Sequence, residues 1–159
     1  MHFIIILLAL YSCSQPAKPV TARLLAADTT RIDTSRYSVL PFNAGRDGFI
    51  FPKESKAANL SAKEVSQIEQ IINENVTGYN KANSNHKINN PDKYYKQIIA
   101  ATNTNRQKEV WVNCFCTAYE KRYWRKGIIM ILDGGPCFFN IKINLSTGVA
   151  YEFKVNGSS

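Results

Sequence analysis

Three cysteines in the C-terminal half of the chain are the residues most suited to chemistry: Cys114, Cys116 and Cys137. Zinc sites usually take four ligands, commonly from C-x2-C or H-x3-H pairs. Here one residue separates the paired cysteines, and His86 is the only histidine beyond the first two residues. Redox thiols of the thioredoxin kind need C-x-x-C at a helix N-terminus, where the helix dipole favours the thiolate. The sequence therefore predicts no metal site and structural cysteines.

A disulfide is left open by the sequence. Cys114 and Cys116 lie about 6.7 Å apart along an extended strand, near the limit for a bridge between them. Either could pair with Cys137, as an oxidising compartment would favour. A strand at residues 127–133 would instead place Cys137 two strands from Cys114, at about 9.6 Å, beyond bridging distance.

No other catalytic constellation is evident in the sequence. It contains no Ser/His/Asp order, no carboxylate pair with acid–base spacing and no glycine-rich nucleotide fingerprint. The run Asp133-Gly134-Gly135-Pro136 offers one carboxylate and is typical of a tight hairpin. We therefore predict a protein that is not an enzyme and needs no cofactor.

The composition predicts one domain with an anionic partner. The chain has 159 residues, 45% of them hydrophobic, and a formal charge of +8. Residues 119–127, "YEKRYWRKG", interleave aromatics with basic side chains, including Arg122 and Arg125. Such a loop is compatible with a solvated hairpin or with contact to anionic lipid or another acidic envelope component. Single-stranded nucleic acid would suit the same pattern in a cytosolic protein, but we predict none here.

The N-terminus predicts export. Residues 3–10 form an apolar run that is shorter than the about 20 residues of a membrane-spanning helix and fits a signal peptide. The following Leu10-Tyr11-Ser12-Cys13 resembles the lipobox of bacterial lipoproteins. The resemblance implies a signal peptide at 1–12, a lipid on Cys13 and a membrane as partner. Ser14 after the cysteine implies, by the same resemblance, an outer-membrane protein facing the periplasm. A signal peptide cut elsewhere, or a buried N-terminal strand, is the alternative.

Periodicity predicts an α+β domain at residues 38–157, joined to Cys13 by a flexible tether at 13–37. Ser61 and Glu64 form a capping box, and apolar residues then recur at helical spacing as far as Gly78, the expected helix end. A period of two follows and predicts strands at 95–101, 109–119, 127–133, 137–145 and 149–155. A further short strand is expected near 49–51. One N-terminal amphipathic helix would pack on an antiparallel four- to five-stranded meander.

Alternation divides the predicted sheet into two faces. Val110, Val112, Cys114, Cys116 and Ala118 would share the face beneath the helix, with Cys137 also pointing into the core. The opposite face is aromatic and suits partner recognition. Its predicted partner-binding residues, with the basic loop, are Trp111, Phe115, Tyr119, Phe138, Asn140, Arg122 and Arg125. Alternatively, residues 38–58, with Phe42, Phe49 and Phe51, fold over this face.

One helix followed by a long antiparallel meander resembles the cystatin-like architecture. Cystatins carry Q-x-V-x-G at the first hairpin after the helix, where it enters a cysteine-protease cleft. This chain has Gln97, Ile99 and Ala101 at the three defined positions of that motif. The overall prediction is a lipid-anchored envelope protein that binds an unknown envelope partner. The alternative function is inhibition, either of a cysteine protease through residues 97–101 or of a toxin as an immunity-type lipoprotein.

Overall fold

The computed structural model of the chain describes residues 35–117 and 123–157. These residues form an α+β fold with one α-helix and a six-stranded mixed sheet. The elements in chain order are β1 (Tyr37–Pro41), β2 (Lys56–Ala57), α1 (Ala62–Ala82), β3 (Tyr95–Thr102), β4 (Lys108–Phe115), β5 (Phe138–Asn144) and β6 (Val149–Val155). The predicted signal peptide, Cys13 and residues 13–34 of the tether lie outside the described residues.

Helix α1 begins at the capping box that the sequence predicts. The Ser61 hydroxyl accepts a hydrogen bond from the Glu64 backbone N–H, and the Glu64 carboxylate accepts one from the Ser61 N–H at 2.8 Å. Lys108 on β4 also donates to this carboxylate. Burial works to raise the pKa of Glu64, but the hydrogen bonds from Lys108 and Ser61 outweigh it and lower that pKa. The first turn of α1 is thereby joined to the sheet.

The predicted end of α1 at Gly78 is wrong, because the helix continues to Ala82. An exposed glycine inside a helix costs only about 1 kcal/mol relative to alanine, which the packed apolar stripe tolerates. The helix ends where Asn83 caps it, since both the backbone N–H and the side-chain amide of Asn83 donate to the Tyr79 carbonyl. The buried residues of the helix follow the predicted stripe and are Val65, Ile68, Ile71, Ile72 and Val76.

The sheet has the order β1-β3-β4-β5-β6. Strand β1 runs parallel to β3, β2 pairs antiparallel with the end of β3, and the strands from β3 to β6 pair antiparallel with their neighbours. Strands β1 and β2 were not predicted. The predicted strands at 127–133 and 49–51 are wrong, because neither segment joins the sheet. Strand β4 ends at Phe115 rather than at residue 119.

The main core lies between α1 and one face of the sheet. Val110, Val112 and Cys114 on β4 pack there with Ile98 on β3 and Ile141 on β5, as alternation predicts. Lys96 is also fully buried on this side. Its ammonium group lies 2.9 Å from the Pro91 carbonyl and 3.3 Å from the Glu69 carboxylate of α1, so its charge is paired.

Cys116 and Cys137 form a disulfide, with their Cα atoms 5.0 Å apart. The strand predicted at residues 127–133, which would have separated the two cysteines, is absent from the sheet. In the structure β4 pairs directly with β5, and the register that sets Phe115 opposite Phe138 brings the next residues, Cys116 and Cys137, together. Cys116 is exposed and Cys137 half-buried, so the expectation of three core cysteines is correct only for Cys114, which is a free thiol.

Replacing Phe115 by alanine is expected to destabilise the fold by about 3–5 kcal/mol, because the ring is completely buried. Phe49→Ala is the matched control, since the Phe49 side chain is 60% exposed and its loss is expected to change the stability by no more than about 0.5 kcal/mol. Urea denaturation of the two variants measures the difference. Equal stability of the two variants would contradict the burial of Phe115.

Candidate functional site

The aromatic face that the sequence predicts as a recognition surface lies inside the molecule. Trp111 is 5% exposed, Phe115 is fully buried and Phe138 is 7% exposed. Two segments of the same chain, residues 42–51 and residues 123–133, cover them. The expectation that these three side chains form an open surface is therefore not met, and a partner would have to contact the outer side of the covering segments.

The 42–51 segment covers the half of the face that contains Trp111. Phe42, Ile50 and Phe51 pack there with Trp111 and Ile99. The fully buried Asp47 carboxylate holds the turn of this segment, accepting hydrogen bonds from the Asn43 backbone N–H at 2.8 Å and from the guanidinium of Arg46. The alternative that residues 38–58 fold over the aromatic face is thus correct for Trp111, through Phe42 and Phe51, but Phe49 is 60% exposed and takes no part.

The 123–133 segment covers the other half, over Phe115 and Phe138. Trp124 is 2% exposed, and its ring meets those of Phe115 and Tyr95 edge to face, with centroids 5.9 and 5.5 Å away. Ile129 and Ile131 pack against the same cluster. These two side chains reach Phe138 from above the sheet and not from a paired strand, as the predicted strand at 127–133 would require.

A buried pair of amides, Gln97 on β3 and Asn113 on β4, attaches the 123–133 segment to the sheet. The Gln97 amide nitrogen donates to the carbonyls of Trp124 at 2.5 Å and Gly127 at 2.7 Å. Its oxygen accepts from the Ile129 N–H at 2.9 Å and from the Asn113 amide at 3.1 Å. Asn113 also donates to the Ile129 carbonyl at 2.7 Å. The backbone of a segment without secondary structure is thus hydrogen-bonded by side chains of the sheet.

Residues 97–101, which the cystatin resemblance assigns to an inhibitory hairpin, are not at a hairpin. Gln97, Ile99 and Ala101 lie within β3, which pairs with β1, β2 and β4, and all three are buried. The turn between β3 and β4 falls at residues 103–107. The prediction that residues 97–101 enter a protease cleft is therefore wrong in position, because a buried strand cannot reach into another protein.

The outer side of the 123–133 segment presents basic and large apolar side chains together. Leu132 is 88% exposed, Met130 59% and Tyr123 55%, and Arg125 and Lys126 are also exposed. Because Trp124, Ile129 and Ile131 of the same segment face the sheet, these five project away from it. We call them the basic-apolar ridge, and it is the candidate functional site.

The remaining predicted partner-binding residues have mixed positions. Arg125 belongs to the basic-apolar ridge, with its guanidinium carbon 4.5 Å from the centroid of the Trp124 ring. Asn140 is half-buried on β5, opposite Asn113. Tyr119 and Arg122 lie outside the described residues.

Within residues 35–117 and 123–157, no three His, Cys, Asp or Glu side chains lie where they could hold a metal ion together. Burial raises the pKa of the Cys114 thiol far above its usual range, so this thiol stays protonated and is a poor nucleophile. None of the described helices is long and apolar enough to span a bilayer.

Compared with protein-family models, with curated proteins and with solved structures, the chain has no match in any of the three.

The exposure of Met130 and Leu132 was not predicted from the sequence. The buried pair of Gln97 and Asn113 was not predicted either. The signal for the first two was present in "GIIMILD", which contains five consecutive apolar residues. A strand with one face in water would carry polar residues at every second position, and this run does not. The amide pair had a weaker signal: Gln97 and Asn113 each lie inside a predicted strand, and a buried amide needs partners outside the sheet ladder.

Replacing Gln97 by methionine, which has a similar length, is expected to loosen the 123–133 segment. The variant leaves the Trp124 and Gly127 carbonyls and the Ile129 N–H without the Gln97 partner, a loss of about 1–3 kcal/mol in unfolding free energy. Hydrogen exchange at the Ile129 amide should accelerate at least tenfold. In the control variant, Gln70→Met on the exposed side of α1, it should be unchanged. Equal protection of Ile129 in both variants would contradict the role of Gln97.

Proposed function

We propose that this chain is a lipid-anchored protein of the bacterial cell envelope that works as a non-catalytic binding module. In this proposal Cys13 carries the lipid, the domain faces the periplasm from the outer membrane, and the basic-apolar ridge contacts an anionic envelope component. The observation that carries the binding role is that one short segment exposes three large apolar side chains, Tyr123, Met130 and Leu132, together with two basic ones.

The disulfide supports the exported location. Disulfides form and persist in oxidising compartments such as the periplasm and are rare in the cytosol. The Cys116–Cys137 bond spans 21 residues and encloses the whole 123–133 segment. Closing a loop of this size stabilises a fold by about 3 kcal/mol in the chain-entropy model. The disulfide thus stabilises a segment that lacks strand pairing, and it forms only where cysteines are oxidised. Export to such a compartment is also what the lipobox-like Leu10-Tyr11-Ser12-Cys13 implies.

The charge of the ridge supports an anionic partner. Arg125 and Lys126 form no ion pair with any carboxylate of the described residues, whereas Lys96, Lys108 and Lys142 each do. An incoming anion therefore does not have to displace a carboxylate of the described residues from either cation, and the face of the Arg125 guanidinium over the Trp124 ring leaves its N–H groups able to donate. The net charge of +8 acts in the same direction over longer distances.

A cystatin-like architecture remains our proposal for the finer fold. The single helix α1 packed on the consecutive antiparallel strands β3 to β6 supports it. Protease inhibition through Gln97, Ile99 and Ala101 is not part of the proposal, because these residues are buried. Blocking of a toxin would be one form of the binding role, with the toxin as the partner.

Photo-crosslinking in bacterial cells tests the proposal. A photoreactive phenylalanine analogue at Tyr123 of the full chain is expected to give a discrete membrane-fraction adduct. The same analogue at Asn73, exposed on α1, should give none. With Cys13→Ser the Tyr123 adduct should disappear, because the domain no longer stays at the membrane. Adducts of equal yield at both positions would contradict a binding role for the ridge, and an undiminished adduct with Cys13→Ser would contradict the anchor.

A further inference from the structure

The apolar side chains of the basic-apolar ridge are held outward by the fold. Ile129 and Ile131 are anchored in the cluster beneath, whereas Met130 and Leu132, which alternate with them in the sequence, are exposed. The segment is fixed at both ends. The Gln97 amide bonds its start, and the Asn156 side-chain amide donates to the carbonyls of Ile131 and, at 3.1 Å, Asp133. The segment that carries the ridge is therefore held in place before any partner binds.

The exposure of these apolar side chains to water is unfavourable and calls for another explanation. Single exposed apolar residues are normal on protein surfaces, but Leu132 and Met130 are two of the most exposed large apolar residues described, and they belong to one short segment. Tyr123 adds an amphipathic ring, which lies against Gly127 so closely that a Cβ atom on Gly127 would be 2.9 Å from it. All three side chains belong to one short segment that also carries the two exposed cations Arg125 and Lys126.

This combination of side chains has the chemistry of a membrane interface. Tyr is enriched where bilayers meet water, and Lys and Arg keep their charged heads among polar groups while their apolar stems are buried. Anionic lipid headgroups attract exposed basic residues within about a Debye length. The segment 123–133 carries Arg125 and Lys126 against one carboxylate, Asp133, so its own charge is positive. Leu132 and Met130 are flexible apolar side chains with 88% and 59% of their surface exposed, and such side chains suit insertion between headgroups.

The position of the chain relative to a membrane adds a second argument, which rests on the proposed function. A lipid on Cys13 would connect the domain to the membrane through residues 14–34, a length of chain that spans at most roughly 75 Å. The domain would then stay within contact distance of the bilayer surface that holds it. Weak contacts made by the ridge would count strongly, because the tether makes the second contact intramolecular.

We infer that the basic-apolar ridge docks on the surface of an anionic phospholipid bilayer, with Leu132 and Met130 entering the headgroup region and Arg125 and Lys126 contacting lipid phosphates. Docking fixes one orientation of the domain at the membrane. In that orientation the side of the sheet covered by the 42–51 and 123–133 segments is turned toward the lipid, and α1, on the other side of the sheet, is turned away from it.

A fluorescent probe at residue 132 tests this inference in the full lipidated chain. Leu132→Cys is labelled with an environment-sensitive dye; Cys114 is buried, and Cys116 and Cys137 are bonded to each other, so these residues do not react. The chain is inserted into vesicles of phosphatidylcholine with or without phosphatidylglycerol. We expect blue-shifted emission and at least threefold protection from acrylamide only in the anionic vesicles. Both effects should be lost in 0.5 M salt or with Arg125→Glu/Lys126→Glu.

Asn73→Cys, on the exposed side of α1, is the matched control and should report water in every vesicle. Equal emission of the residue 132 probe with and without phosphatidylglycerol, or equal shifts at residues 73 and 132, would overturn the inference. A shift on adding soluble polyglutamate but not with anionic vesicles would overturn it in favour of an acidic protein partner. Co-sedimentation separates the two proposals: a chain that sediments with vesicles while residue 132 stays in water refutes docking and leaves the anchor intact.

Discussion

The side-chain amide of Gln97 uses all of its hydrogen-bonding capacity inside the protein. Its two N–H groups donate to Trp124 and Gly127, and its oxygen accepts from Ile129 and Asn113. No strand pairing holds residues 124–129 in place, so these bonds take over the role of a sheet ladder. A buried amide with every bond made stabilises one arrangement, whereas one left unpaired costs free energy. The placement of the 123–133 segment therefore depends on this contact.

The covering of the aromatic face of the sheet follows from the hydrogen bonds of Gln97. With the 123–133 segment in place, Trp124 closes over Phe115, and Ile128 of the same segment packs with the cluster that contains Trp111 and the 42–51 segment. The sheet then has α1 on one face and two irregular segments on the other, so its aromatic residues build a second core. Exposed apolar side chains are left on the outer side of the cover, at Tyr123, Met130 and Leu132. The Cys116–Cys137 bond closes the base of the same segment and strengthens the arrangement in an oxidising compartment.

Much of the helix and of the first core could be predicted from the sequence. The capping box at Ser61 and Glu64 is a local signal, and the helical stripe and the alternation of Val110, Val112 and Cys114 are set by backbone geometry alone. Pairing between segments that are distant in sequence has no such local signal. Strand β1, which lies far from β3 in the sequence and pairs parallel with it, was therefore not predicted. The run at 127–133 has the composition of a strand, but a tertiary contact, the Gln97–Asn113 pair, decides where it lies. Misplacing this one segment also produced the wrong argument about the disulfide and the open aromatic face.

The packing of Trp124 against Phe115 and Tyr95 gives the most direct test of this account, because it exists only if the 123–133 segment lies on the sheet. Proton–proton nuclear Overhauser effects can be measured on the full chain in detergent. We expect cross-peaks between the Trp124 indole and the rings of both Phe115 and Tyr95. Their absence, together with free access of water-soluble quenchers to the Trp124 indole, would show that the segment leaves the sheet uncovered, and both the second core and the basic-apolar ridge would be lost.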